Sequence, residues 1–330
     1  MAPVRVASAV ISAKMVDVNG RIRSTSAGGR AGTGSPYSRA DRPAADRPQD
    51  EIRHLVVDTD CGIDDALALL YLAGRPDCEL AAVTTVHGNA PVGAVVANAG
   101  HTLGVAGLVD VPVAAGAAGP LSGPPLRVAP GTHGSDGLGD VVETKIPPRT
   151  LADRPAAELL SALARDRPGY YHLLALGPLT NVALALELEP SLLTLFRSVV
   201  VMGWAPSDTN IRRDPEAAAR MLRAPRNRLV GVGVDVTATV VVDDETVRRL
   251  RAAGTARAEF AAALVERYIL RHQRTCGRRA APVHDALAAA LLLRPDWITA
   301  SRSRPATVVT DVDRAAFLAD FLATLTMDFG

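Results

Sequence analysis

The chain has 330 residues, 48% of them hydrophobic and 22% charged, which is ample for one large buried core. A formal net charge of +1 gives no footing for a nucleic-acid or membrane-surface partner, and no apolar run reaches the ~18–20 residues of a membrane span. Cys61, Cys78 and Cys276 stand at unrelated spacings and make neither a zinc pattern nor a disulfide framework, which points to a reducing, cytoplasmic compartment.

Residues 1–53 read as a disordered N-terminal tail. The stretch 19–50 is rich in Gly, Ser, Pro, Arg and Asp and nearly free of core residues, so it cannot bury enough apolar surface to fold. Met15 is a second candidate start. From 54 to 330 the pattern changes to that of one catalytic domain. HLVVD at 54–58 predicts a buried strand, followed by a helix over 64–74. ELAAVTTVH at 79–87 predicts the next strand, with a helix over 92–107. YHLLAL at 171–176 leads into a helix over 178–188. SVVVMG at 198–203 leads into one over 214–222, and LVGVGVDV at 229–236 reads as a further strand. Arg248, Arg249 and Arg251 read as a solvated helix face. The alternation predicts an α/β fold, a single-domain, doubly wound, mostly parallel sheet flanked by helices, Rossmann-like in its core. Such sheets bind ligands beyond the carboxyl ends of their strands.

The first strand ends in DTDCGIDDALAL at 58–69, which crowds Asp58, Asp60, Asp64 and Asp65 into eight positions. A helix N-cap needs one Asp. Four repel one another unless a cation neutralises them, and oxygen donors without His or Cys favour calcium or magnesium. Other strand ends supply His87, Gly88 and Asn89, then GPLTN at 177–181, then Asp208 and Asn210. PVHDALAAALLLRP places His284 and Asp285 at the start of a late helix.

DTDCGIDDALAL resembles the N-terminal motif of the inosine–uridine-preferring nucleoside hydrolases, usually DTDPGIDDA. Further matches keep the family's order: TTVHGN at 84–89, THGSDGLGD at 132–140, LGPLTNVALAL at 176–186, NIRRDPEAA at 210–218, VGVDVT at 232–237 and HDALA at 284–288. The resemblance implies a calcium-dependent hydrolase that cuts the N-glycosidic bond of ribonucleosides, and a homo-dimer or homo-tetramer. It implies Ca2+ ligands from Asp60, Asp65 and Asp285 side chains and the Thr180 carbonyl, with Asp60 also general base toward a calcium-bound water. Asp64, Asn89 and Asn210 would hold ribose hydroxyls, Asp208 would align with a substrate-binding Glu, and Asp58 would orient the ligands from behind. His284 would lie near the nucleobase as proton donor.

Three departures stand out. Cys61 replaces the usual Pro and reads as a tolerated small residue. The loop MGWAPSDTN at 202–210 is shorter than the family's, loses an Asn-bearing element and puts Trp204 where Gly is usual, either to stack on a base or to fill the loop. The segment after Trp297 is also short. A nucleoside- or ribose-binding homologue without turnover is therefore the alternative. A haloacid dehalogenase-type phosphatase is disfavoured, because Gly62 stands where a Thr or Ser belongs.

Overall fold

The computed structural model describes residues 52–124, 131–303 and 306–327. The expected N-terminal tail lies outside them except for its last two residues, and Arg53 already opens the first strand. An eight-stranded sheet forms the centre, with spatial order β3-β2-β1-β4-β5-β6-β10-β9. Its strands are β1 (Arg53–Thr59), β2 (Cys78–Thr85), β3 (Val113–Ala114), β4 (Tyr171–Ala175), β5 (Ser198–Met202), β6 (Leu229–Val232), β9 (Ile298–Ser303) and β10 (Thr307–Val312). All neighbours are parallel except β9 against β10. β7 (Val241–Val242) and β8 (Ala281–Pro282) form a separate two-stranded ribbon.

Alternation along the strands divides the core. Leu55 and Val57 of β1 point into one apolar layer, Val56 into the other. The first layer packs α1 (Ile63–Ala73), α2 (Val92–Val105), α9 (Asp244–Ala253), α10 (Ala256–Cys276), α11 (His284–Leu293) and α12 (Arg314–Thr326). The second packs α3 (Ala156–Asp166), α4 (Thr180–Leu188), α5 (Leu192–Leu195) and α7 (Pro215–Arg223). Every residue of α11 from Asp285 to Leu293 is buried, as its unbroken apolar run requires of a helix covered on all sides. On α9 the arginines face solvent, where Arg248 pairs with Glu245 and Arg251 with Glu266.

The doubly wound, mostly parallel sheet agrees with the sequence reading, which does not name β3, β7 to β10, α3, α5, α10 or α12, and one of its strands differs locally. The stretch 229–236 is not one strand. β6 stops at Val232, Gly233 turns the chain, and Val234–Thr237 coil into α8, closed by bonds from the Val236 and Thr237 amides to the Gly233 carbonyl. The intervening α6 (Thr209–Arg213) is a single short turn after β5.

Candidate active site

β1 is flanked by β2 on one side and β4 on the other, so the winding reverses there and opens a crevice beyond the carboxyl ends of these strands. Asp58, still within β1, is fully buried. Its Oδ1 accepts from Thr84 Oγ1 at 2.6 Å and Asn181 Nδ2 at 2.8 Å, while its Oδ2 has no hydrogen-bond partner. Burial pushes this carboxyl up to about 7. Asn181 is pinned in turn by the Thr85 carbonyl and the Ala117 amide.

Asp60 follows the strand end. Its Oδ2 accepts from the Asn89 amide at 2.9 Å and from Arg213 Nη1 at 2.5 Å. Gly88 is required for this approach: a Cβ there would stand 1.9 Å from Asp60 Oδ2. Burial and the neighbouring Asp65 push Asp60 well up, and Arg213 opposes them. Cys61 takes φ +23° in the bend to α1, an uncommon conformation for a side chain-bearing residue. Burial, reinforced by Asp65 and Asp60, pushes its thiol well up, which disfavours the thiolate.

At the start of α1, Asp65 accepts from Thr59 Oγ1 at 2.5 Å, the Gly62 amide at 2.8 Å and Asn89 Nδ2 at 3.2 Å. Asp64, Asp65 and Asp285 each bring an oxygen within 4.8 Å of the others, all buried. Burial and then Asp65 push Asp64 up to about 7. Burial, then Asp64, Asp65 and Asp60, push Asp285 well up. Asp64 Oδ1 is buried without a hydrogen-bond partner. Crowded oxygens, mutual repulsion and an orphaned lone pair together fit a hard divalent cation. Tyr268 of α10 reaches Asp64 Oδ2 at 3.5 Å and lies against the His133 ring. The His133 Nδ1 accepts from the Ile63 amide at 3.1 Å, and burial together with Arg213 holds its pKa down to about 3.

On the β4 side, Thr180 donates to Asp214 Oδ2 at 2.7 Å and meets His87 Nε2 at 3.1 Å. Asn210 Nδ2 donates to the Leu176 carbonyl at 2.5 Å, which ties α6 to the end of β4 and leaves its amide oxygen for another partner. Asp208 is committed to its own loop: Oδ2 accepts from the amides of Trp204 at 2.8 Å, Ala205 at 3.1 Å and Val234 at 3.3 Å. Trp204 lies on β6, where a Cβ on Gly231 would meet its ring at 2.1 Å. His284 opens α11. Its Nδ1 meets Thr237 Oγ1 at 2.6 Å, and burial and nearby His272 hold it down to about 4, a neutral imidazole at neutral pH.

The fold thus gathers Asp58, Asp60, Asp64, Asp65, Asn89, Thr180, Asn210 and Asp285 around one crevice. The tightest oxygen cluster is Asp64, Asp65 and Asp285, while Asp60 is paired with Arg213. Sequence reasoning missed Arg213, His133 and Tyr268. The first two lie inside the quoted NIRRDPEAA and THGSDGLGD; Tyr268 carries no local signal.

Residues 55–324 match the family model described as inosine-uridine preferring nucleoside hydrolase. The chain is 35% identical over 254 residues to the probable uridine nucleosidase 1 of Oryza sativa subsp. japonica, covering 74% of this chain and 78% of that one. It is 34% identical over 265 residues to the inosine-uridine preferring nucleoside hydrolase of Leishmania major, covering 76% and 82%. Among solved structures, the plant nucleoside hydrolase PpNRh1 superposes with a TM-score of 0.78 at 26% identity, over 84% of this chain and 99% of that one. The phosphatase alternative falls away. With this fold, this crevice and a match over most of its length, the chain belongs to the inosine-uridine preferring nucleoside hydrolase family and is an N-glycosyl hydrolase.

Proposed function

We propose that the chain hydrolyses the N-glycosidic bond of ribonucleosides with calcium as its resident cation. The observation that carries this is the buried oxygen cluster of Asp64, Asp65 and Asp285 beside Asp60, at the reversal point of the sheet. Asp60, Asp65, Asp285 and the Thr180 carbonyl would hold the ion. When bound, calcium supplies the charge that lets these carboxylates ionise together and makes an oxygen ligand more acidic. Asp60 accepts the proton of the attacking water. The remaining carboxylates stabilise the positive charge that builds on the sugar as the C1′–N bond breaks. Asp64, Asn89 and the Asn210 amide oxygen hold ribose hydroxyls, with Asp208 shaping the loop that bounds them. His284, held at Nδ1 by Thr237 Oγ1, would serve the departing base as the imidazolium, giving its Nε2 proton to the base and returning to the neutral imidazole.

Incubating the full chain with a nucleoside panel including inosine and uridine, with calcium or with chelator, tests this reading. Ribose release that depends on calcium is expected; release unaffected by the chelator would overturn it. A second reading, a catalytically weak nucleoside- or ribose-binding homologue, is favoured by the Arg213–Asp60 pair and by the commitment of Asp208 to its loop. Tight calorimetric binding with only slow ribose release would establish it. The proposal includes a cytoplasmic homo-dimer or homo-tetramer, which sedimentation of the purified chain checks. Among the described residues, no helix is long and apolar enough to cross a membrane.

A further inference from the structure

Arg213 has no part in the chemistry assigned above, yet its guanidinium sits in the middle of the site. It is the last residue of α6, and the next residue fixes its backbone. Asp214 caps α7 by accepting from the Ala217 amide at 2.9 Å, and its other oxygen is held by Thr180 and by the Leu121 amide at 2.9 Å. The Arg213 side chain, 14% exposed, is thereby directed inward. One nitrogen donates to Asp60 Oδ2 at 2.5 Å and the other to Asn89 Oδ1 at 3.0 Å. Asn89 gives its own Nδ2 to Asp65, so both ends of its amide are taken. Asp58, Asp60, Asp64, Asp65 and Asp285 are all buried nearby. An exposed ion pair would carry little weight. This pair is enclosed, and the two-pronged guanidinium bridges residues from two different strand ends, as a lysine could not.

We propose that Arg213 is an internal counter-ion that competes with the divalent cation for Asp60 and with a ribose hydroxyl for Asn89. Loading the site therefore requires the guanidinium to swing away, and its positive charge lowers cation affinity. The inference rests on the calcium site proposed above.

Calorimetric titration of calcium chloride into the chelator-stripped full chain tests it. The neutral R213Q variant is expected to bind calcium at least ~10-fold more tightly than the wild type, the effect of removing a repelling unit charge a few ångströms away. R213K, which keeps the charge, is expected to stay within ~3-fold of the wild type. R213M serves as a second neutral variant should R213Q fail to fold. Equal or weaker calcium binding by the neutral variants would overturn the proposal and make Arg213 a positioning residue for Asp60. In the wild type, saturating calcium should raise the reactivity of Arg213 toward phenylglyoxal, read by peptide mass spectrometry. Unchanged reactivity would also overturn it. If no protein takes up calcium, the metal reading itself fails and this inference with it; calcium uptake by wild type with unchanged variants fails Arg213 alone.

Discussion

At the scale of single residues, two carboxylate environments separate roles that composition alone would merge. Asp58 is locked by Thr84 and Asn181 behind the crevice, whereas Asp60 meets the crevice itself. Asp60→Asn keeps the size and most hydrogen bonds, so the protein should fold while ribose release falls by roughly 10²–10⁴-fold, the scale of losing a general base. Near wild-type turnover in that variant would remove Asp60 from the chemistry. His284 makes a different prediction. Hypoxanthine leaves poorly as an anion, whereas nitrophenolate leaves well unaided. His284→Ala should lose most activity on inosine but keep much of it on nitrophenyl riboside, a ratio shift of ~10²-fold or more. A uniform loss on both would make His284 a support for sugar or metal. The carboxylates were legible in sequence because a strand end and a helix start place them within eight consecutive positions. Arg213, His133 and Tyr268 were not, because their significance lies in contacts to Asp60, Ile63 and Asp64, far away along the chain.

At the scale of elements, parallel strands begin side by side, so their opening residues gather at the edge opposite the crevice. His172 of β4 meets Ser198 Oγ at 2.7 Å there. Burial first, then Arg197, Arg53, Arg228 and His54, hold it down to about 4 from an ordinary 6.5. A histidine whose folded pKa is depressed supports stability fully above pH 6.5. It loses that support as pH falls toward 4, because the unfolded chain then binds the extra proton. Its half-buried ring is partly screened, so the loss attributable to His172 between pH 7 and pH 5 should be roughly 1–2 kcal/mol. Urea midpoints of wild type and His172→Gln at the two pH values check it: the variant should show a smaller drop, and identical drops would refute the assignment. The strands β1, β2, β4 and β5 and the helices α1, α2, α4 and α7 were legible from apolar runs and turn residues, whereas β3, α3, α5 and α6 were not. The break after Val232 was not, since VGVDV reads as one β-branched run and only the turn at Gly233 divides it. The packing of Trp204 was likewise not legible, since it depends on the bare backbone of Gly231 on β6.

At the scale of the whole molecule, five carboxylates buried together are a strain on the fold that a bound cation relieves. Calcium at about 100 times its dissociation constant should add about 2.7 kcal/mol to stability and raise the melting temperature by about 5 °C or more. Differential scanning calorimetry with and without chelator measures this; an unchanged transition would argue against a calcium site. The same crevice has a consequence in time. Asp60 and Asp65 follow the first strand, while Asp285 opens α11, near the far end of the sequence. A chain emerging from the ribosome holds four of these five carboxylates early and gains the fifth, Asp285, only when α11 has been made and has docked against α1. Until then the oxygen cluster of Asp64, Asp65 and Asp285 is incomplete, and the crevice lacks the one carboxylate that the distant helix brings to it.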